Sequence, residues 1–273
     1  SKFRQDAIPH HRAEDVRGFI FNTRRAPFND TRVRQALSMV FDFDWVNQNL
    51  YGGLLRRTAS FFPGSDLADL PLAPPQKDQR AALKQADTLL HQAGYGVKDG
   101  TRVFTKTGEP LVIDMILSIP SEEKIALSYA RTLKKLGVTL RVRTLDIAAF
   151  RDRLNQFDYD MMAYYWLSTL SPGVEQLNNW GCAARDQQGG FNYAGICDPD
   201  LDRLAARIPQ TTTRSDLQSA TKAMDRALIN GYYVIPWGYK PVDLIATYPP
   251  LTWPSKIPLW GFVPETMWVS PVN

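Results

Sequence analysis

The sequence has no long hydrophobic run, and its 273 residues include only three histidines and two cysteines. A membrane-spanning helix needs about 20 consecutive apolar residues, and no stretch of the sequence approaches that length. His10, His11 and His91 have no partner at the spacing of metal ligands, so we expect no metal site. No signal peptide is recognisable, which predicts that a leader was removed or that the sequence starts inside a longer protein.

Basic tracts and catalytic signatures are also missing. The net charge is +4 and the pI is about 9.0, but the excess charge is spread thinly. Nucleic-acid binding usually needs clustered Lys and Arg, so nucleic acid is not an expected partner. No G-x-S-x-G motif occurs, and the glycines of 94–100 follow a helical pattern at the wrong spacing for a phosphate loop. The sequence therefore supports no catalytic residue and no cofactor, although scattered carboxylates leave an enzyme as an alternative.

The two cysteines, Cys182 and Cys197, lie 15 residues apart in one Gly-containing segment. A disulfide that closes such a loop stabilises a fold by roughly 3 kcal/mol in the chain-entropy model. Such a bond fits an oxidising compartment. We favour the disulfide over the alternative of two unrelated free thiols.

Alternating helical and strand patterns predict an α/β or α+β domain with a mixed sheet. Apolar patterns predict strands at 18–23, 138–146, 159–166, 232–239 and 243–248, and a hairpin over 101–117 with its turn at 106–109. Helical spacing and caps predict helices at 30–41, 44–53, 78–93, 121–137, 147–155, from 198 onward and at 212–231. Residues 1–18 show no pattern, and the prolines within 63–77 predict a surface excursion or a linker.

The segment YYWLSTLSPGVEQLNNW, residues 164–180, is unusual for a loop after a buried strand. It carries four aromatic residues and a single charge, Glu175. Tyr164, like the preceding Met162, is expected in the core. The rest of the segment is a candidate binding surface.

Several segments in order resemble one family. They are FNTRRAPFNDTRVRQALSMVFDFDWVNQNLYGG, ADTLLHQAGYGVKDG, TGEPLVIDMIL, YARTLKKLGVTLRVRTLDIAAFRDRLNQFDYDMMAYYW, NYAGICDPDLDRL and VIPWG. Together they are similar to the C-terminal lobe of family 5 extracellular solute-binding proteins of ABC importers. LSPGVEQ and FDFDWVNQNLYGG most resemble the Yej-type oligopeptide-binding branch.

The resemblance implies one lobe of a type II periplasmic-binding-protein fold, without the N-terminal lobe that precedes it in the family. Residues 1–17 are then a hinge segment, and 18–240 form the C-terminal ligand-binding lobe. Residues 241–273 are expected to cross back towards the other lobe, which would leave aromatic residues of this tail, Trp253, Trp260 and Trp268, partly unsupported.

The resemblance also places residues 164–180 at a cleft between the lobes. A receptor for many peptides should pair with the ligand's main chain and give its side chains adaptable, partly hydrated pockets. The expected aromatic walls and polar contacts are Tyr165, Trp166, Trp180 and Tyr193, and Ser168, Asn178 and Asn192.

The resemblance also implies an anchor for the ligand's amino terminus. Oligopeptide binders of this family carry an Asp a few residues after the Trp of this strand, and alignment on Trp166 puts Thr169 there. Glu175 is the expected replacement. The alternatives are that Glu175 caps a short helix through Gln176 and Leu177, and that Trp180 only covers the loop.

The resemblance thus implies a periplasmic binding protein, not an enzyme. It would capture oligopeptides between two lobes and deliver them to an ABC permease in the inner membrane. Competing hypotheses are another solute, such as a nickel complex, an opine or an oligosaccharide, and a peptidase or glycoside hydrolase. A third is an interaction-only role, with a cleft that binds no small molecule.

Overall fold

The computed structural model describes residues 3–70, 78–248 and 251–269. Its strands are β1 Arg4–Pro9, β2 Val16–Phe21, β3 Tyr95–Lys98, β4 Thr101–Phe104, β5 Val112–Leu117, β6 Thr139–Thr144, β7 Met161–Trp166, β8 Val234–Pro236, β9 Val242–Thr247, β10 Leu251–Thr252 and β11 Trp268–Val269. Its α-helices are α1 Thr31–Met39, α2 Phe43–Leu50, α3 Gln79–Gln92, α4 Glu123–Lys134, α5 Ile147–Asn155, α6 Glu175–Trp180, α7 Pro199–Arg207 and α8 Arg214–Gly231.

A five-stranded mixed sheet in the order β6-β5-β7-β2-β8 organises the domain. Strand β5 runs parallel to β6 and β7, whereas β2 is antiparallel to both β7 and β8. The register aligns Arg17 of β2 with Tyr165 of β7. The predicted mixed α/β architecture is therefore confirmed.

Helices cover both faces of this sheet, because successive side chains of each strand point to opposite sides. In β2, Phe19 and Phe21 join a buried cluster with α1, α2, α3 and α4. Their neighbour Ile20 joins a second buried cluster with α5, α7 and α8. Strands buried on both faces read as continuous apolar runs, as in the MMAYYW sequence of β7.

Side-chain caps fix most helix starts where the sequence predicts them. Asp30 accepts a hydrogen bond from the Arg32 backbone, and Asp146 accepts two from the first turn of α5. Pro199 occupies the first turn of α7, where its missing N–H costs nothing. At the other end of a helix, the Gly53 amide donates to the Asn47 carbonyl and helps to end α2.

One sequence expectation about strands was wrong, and a second was only partly right. Residues 4–9 form a strand because β1 pairs antiparallel with β9, a partner more than 230 positions away that no local pattern indicates. The turn near Gly108 exists, since its amide donates to the Phe104 carbonyl. However, β4 pairs mainly with β3 across Asp99 and Gly100, while β5 enters the central sheet.

The paired ribbon β1–β9 lies beside an ionic cluster. Arg12 donates two hydrogen bonds to Asp243, at 2.9 and 3.2 Å, and a third to the Trp260 carbonyl. Trp260 and Trp268 are largely exposed, at 68% and 48%, whereas Trp253 packs edge-on against Phe262. In the proline-rich stretch, 63–70 forms turns, and 71–77 lies outside the described residues.

Candidate functional site

The candidate site lies at the carboxyl edge of the parallel strands. β5, β6 and β7 all end at this edge, and the antiparallel β2 begins there. Ligands of open α/β sheets bind outside the carboxyl ends of the strands, where the connecting loops provide adaptable side chains. The connections in question are 118–122 after β5 and 167–174 after β7.

The loop after β7 presents apolar side chains to solvent. Leu167 is 76% exposed and Val174 is 63% exposed, and Ile119 from the β5 connection is 39% exposed. The backbone of this loop is fixed at its start, where the Ser168 amide donates to Asp15 Oδ1 at 3.1 Å. A group of exposed apolar side chains on an ordered backbone is typical of a surface that binds a ligand or a partner protein.

Glu175 has a local structural role. Its Oε1 accepts hydrogen bonds from the Gly173 amide at 2.8 Å and from Gln176 Nε2 at 3.1 Å. The carboxylate therefore shapes the start of α6, in line with the helix-start alternative raised from the sequence. The residue is half-buried, so it is not sealed off from solvent.

Trp166 and Trp180 are buried beneath the loop. They are 3% and 2% exposed, with ring centroids 4.7 Å apart, and Phe61 packs edge-on against Trp180 at 5.2 Å. Trp166 Nε1 donates to the Phe191 carbonyl, and Trp180 Nε1 donates to the Gln176 side chain. Both indoles therefore support the loop from below.

Asn192 and Tyr193 are also buried. Asn192 Nδ2 donates to the carbonyls of Gly181 and Ile196, and its Oδ1 accepts from the Ile196 amide. These bonds use both hydrogens and the oxygen of the amide to hold the disulfide loop. Tyr193 packs 5.6 Å from Trp166 between ring centroids, and burial raises the pKa of its hydroxyl.

The remaining predicted contacts lie at the surface of the carboxyl edge. Tyr165 and Ser168 are half-buried, and Thr169 and Asn178 are exposed. Together with Glu175, they are the five predicted contact residues that are not buried. Their role as ligand contacts stays a prediction.

A charged pair at this edge was missed by the sequence reasoning. Arg17 Nη1 donates to Glu122 Oε1 at 3.3 Å, and the guanidinium carbon lies 5.1 Å from the centroid of the Tyr165 ring. Burial raises the pKa of the Glu122 carboxyl, and the charge of Arg17 opposes that rise. The pair was hard to recognise from the sequence, because Arg17 falls in the stretch without periodicity and Glu122 resembles an ordinary helix-start residue.

The contact with Glu122 positions the Arg17 guanidinium but involves only part of its hydrogen-bonding capacity. Its side chain is 43% exposed, while that of Glu122 is only 8% exposed. A guanidinium has five N–H donors, and the contact with Glu122 uses one of them. The geometry therefore suits an incoming carboxylate, which can accept two parallel hydrogen bonds from one guanidinium.

The cysteine pairing expected from the sequence is confirmed, since Cys182 and Cys197 form a disulfide. Nearby, the Arg24 side chain donates to the backbone carbonyls of Arg185, Asn192 and Tyr193. Within the described ranges, no group of three or more His, Cys, Asp or Glu side chains could hold a metal ion. In the same ranges, no helix is both long and apolar enough to cross a membrane.

Sequence comparison gives a family match over most of the chain. The family model of bacterial extracellular solute-binding proteins, family 5, matches residues 5–188. A Brucella suis protein named only as a binding protein is 40% identical over 93% of the chain and 46% of its own length. In Agrobacterium fabrum, the peptidoglycan-binding protein YepA is 37% identical over 94% of the chain and 46% of its own length. The "Probable peptide-binding protein YejA" of the same organism is 31% identical, with 93% and 46% coverage.

Solved structures share the fold at low identity. The oligopeptide-binding protein AppA of Bacillus subtilis, in complex with a nonapeptide, has a TM-score of 0.76 and 18% identity, over 99% of the chain and 53% of AppA. NikZ of Campylobacter jejuni, in complex with Ni(L-His), has a TM-score of 0.74 and 20% identity, with 92% and 49% coverage. The expected type II periplasmic-binding-protein fold is confirmed, and the chain spans about half the length of these proteins.

Proposed function

Because the chain belongs to the bacterial extracellular solute-binding proteins of family 5, we propose that it is the C-terminal ligand-binding lobe of an ABC importer's periplasmic receptor. In this proposal, 18–240 form the lobe, 1–17 lead into it, and 241–273 cross back towards an N-terminal lobe. The receptor captures oligopeptides between its two lobes. It then delivers them to a permease in the inner membrane.

The observation that carries this proposal is the composition of the carboxyl edge. Uncovered apolar side chains, Leu167 and Val174, lie in the loop whose strand brings Tyr165 against Arg17. Peptides share a main chain and charged ends but differ in side chains. A surface that combines one positioned charge, that of Arg17, with adaptable apolar side chains can therefore bind many different peptides.

Closure of two lobes requires contacts that form only in the closed state. A ligand shifts an open–closed equilibrium only as far as its affinities for the two states differ. A single lobe gains no such contacts. The isolated chain is therefore expected to bind peptides weakly, and micromolar affinity for a tripeptide pool in isothermal titration calorimetry would contradict the two-lobe mechanism.

The ligand class is testable on the full-length protein. We expect native mass spectrometry of the protein purified from the periplasm to detect bound peptides, which tandem fragmentation identifies. Calorimetry should then give saturable binding of the same peptides, and weaker or no binding of Ni(L-His), an opine or an oligosaccharide. A co-purified sugar, or tighter binding of a nickel complex than of any peptide, would refute the peptide assignment.

Among peptides, fragments of the cell wall are a specific candidate. The support is the 37% identity to a protein named for peptidoglycan binding. The Arg17 guanidinium adds a chemical reason, because cell-wall peptides carry more carboxylates than ordinary tripeptides. Competition between a murein tripeptide and tri-alanine distinguishes the two ligand types.

An enzymatic role is the competing class. Charged residues of the carboxyl edge include Arg17, Glu122 and Glu175. Glu122 is paired with Arg17, while Glu175 accepts bonds from Gly173 and Gln176. We expect no turnover of fluorogenic peptide or glycoside substrates by the full-length protein, and multiple turnovers would refute the binding-protein assignment.

A further inference from the structure

A concave surface lies on the flank of the domain, between α2, α4 and strand β6. This flank groove has a volume of about 780 Å³. Its lining includes Trp45 and Leu50 of α2, Lys124, Leu127, Arg131 and Lys134 of α4, and Leu140 of β6. None of the candidate site residues at the carboxyl edge belongs to this set, so the groove is a separate surface.

The floor and walls of the flank groove are apolar. Leu127 is 47% exposed and Trp45 is 38% exposed, although each lies on an otherwise well-packed helix. Leu50 and Leu140 are half-buried at the groove surface. Large apolar side chains gathered in one concavity indicate a protein-binding surface more strongly than apolar side chains scattered over a convex one.

Three cations lie along one wall of the groove. Lys124, Arg131 and Lys134 are exposed on α4 at positions i, i+7 and i+10, on the same face as Leu127 at i+3. Arg131 is placed by Trp45, with its guanidinium carbon 5.6 Å from the ring centroid. In the part of the chain that the structure describes, none of the three forms an ion pair, and no acidic residue lines the groove.

Strand β6 adds an open edge to the same surface. It is the first strand of the central sheet and pairs with β5 alone among the described residues. Its exposed Arg141 and Arg143 alternate with Leu140, so they point to the opposite face of the sheet, and Arg143 lies 3.9 Å from Asp114 Oδ1. The flank therefore combines an apolar concavity with unpaired positive charge.

We propose that the flank groove is a docking site for an acidic, apolar segment of a partner protein. We choose an acidic segment because of charge complementarity, since its carboxylates would pair with the three cations of α4. Lys124 and Lys134 are ten residues apart, which corresponds to about 15 Å along the helix axis. An amphipathic helix of three turns matches this span, with leucines on the groove floor and acidic residues beside α4.

Peptide binding to the 273-residue chain tests the proposal. The probe is a fluorescein-labelled 15-residue helical peptide with Leu at i, i+3 and i+7 spacing and Glu on the flanking positions. Two matched peptides replace either every Glu by Lys or every Leu by Ser. Fluorescence polarisation should show saturable binding of the Leu/Glu peptide only, because both the apolar face and the negative charge are needed.

Charge reversal in the groove provides the matched comparison. The triple variant Lys124→Glu, Arg131→Glu, Lys134→Glu should bind the Leu/Glu peptide at least tenfold more weakly and should gain affinity for the Leu/Lys peptide. The control Lys84→Glu, Lys98→Glu, Lys106→Glu changes net charge equally at exposed positions outside the groove and should leave binding unchanged. Leu127→Ser, a single exposed change, tests the apolar contribution if the triple variant unfolds in circular dichroism melts.

Four outcomes would overturn the proposal. They are no saturable binding, equal binding of the Ser-substituted peptide, equal loss in the control variant, and unchanged binding in both the triple variant and Leu127→Ser. Two further arms test other occupants. Anionic phosphatidylglycerol vesicles that compete fully with the peptide would assign the groove to a membrane, and sedimentation that shows a dimer abolished by the triple variant would assign it to a second copy of the chain.

Discussion

Asp225 offers the sharpest test of how the region under the candidate site is held. Its buried carboxylate, on helix α8, accepts hydrogen bonds from Ser60 Oγ at 2.8 Å, the Phe61 amide at 2.7 Å and the Asp69 amide at 2.8 Å. These bonds fix the loop that places Phe61 against Trp180. We therefore expect Asp225→Ala to loosen the aromatic support of the β7–α6 loop as well as to lower stability.

The size of the stability loss follows from the hydrogen-bond donors that Asp225→Ala would leave without their acceptor. Ser60 and Phe61 are buried, so their two donors lose the carboxylate without gaining water, at about 1–3 kcal/mol each. Asp69 is half-buried, and water can replace its bond at small cost. Asp225→Ala should therefore lower the free energy of unfolding by about 2–6 kcal/mol, which corresponds to a fall in Tm of about 4–24 °C for a domain of this size.

Urea unfolding followed by tryptophan fluorescence measures this change. Asp225→Asn is the matched control, because it keeps the size and one acceptor oxygen and should lose clearly less than the alanine variant. A loss below about 1 kcal/mol in Asp225→Ala would show that the loop does not depend on the carboxylate. An alanine variant with a normal near-ultraviolet aromatic spectrum would refute the inferred link to the tryptophans.

The same carboxylate gives a pH dependence of known sign. Burial raises the pKa of Asp225, although its hydrogen bonds oppose the rise. The folded state therefore binds this proton more tightly than the unfolded state, so the contribution of Asp225 to stability falls as the pH rises from about 4 towards the folded pKa, then stays constant. The stability of wild type relative to Asp225→Asn should show this decline, and a rise over the same interval would contradict it.

Three further predictions concern other parts of the chain. The double variant Cys182→Ser, Cys197→Ser should lose about 3 kcal/mol of unfolding free energy, as should the reduced wild type, because the disulfide closes a 15-residue separation; equal urea midpoints with and without reductant would contradict this. In thermal melts, Gly137→Ala should lower the free energy of unfolding by more than about 1 kcal/mol, and by more than Gly108→Ala does. Both glycines have φ near +77°, but only at Gly137 would the new Cβ lie 2.7 Å from a backbone nitrogen. In the full-length protein, Arg17→Met should weaken calorimetric binding of a peptide with a free carboxylate about tenfold and leave its amide nearly unchanged, while equal losses for both would exclude a carboxylate contact.

Local signals in the sequence were sufficient for most of the fold. The helix at 147–155 was placed at both ends, because Asp146 caps its start and the apolar spacing of Phe150 and Leu154 is clear. The pairing of β1 with β9 could not be predicted, since register between distant segments depends on tertiary contacts. The 101–117 region was ambiguous for a related reason, because two turns compete for the same strand β4.

The candidate site was harder to predict than the fold. Aromatic residues near a cleft serve equally well as walls or as supports, and their burial decides between these roles. Trp166 and Tyr193 proved to be buried, and the tightly bonded Asn192 holds the loop. Arg17 and Glu122 come together only because two strands and a helix start meet at one edge, which no spacing within the sequence encodes.

The ribbon formed by β1 and β9 resists some deformations much more than others. Six residue pairs from Arg4–Thr247 to Pro9–Val242 link the two strands side by side. A two-stranded ribbon flexes readily perpendicular to its plane, where its hydrogen bonds stay intact, but sliding one strand along the other would break them. If the proposed second lobe is joined through these strands, its movement would then be close to rotation about a single axis, with the ribbon setting the direction and the ligand selecting mainly the extent.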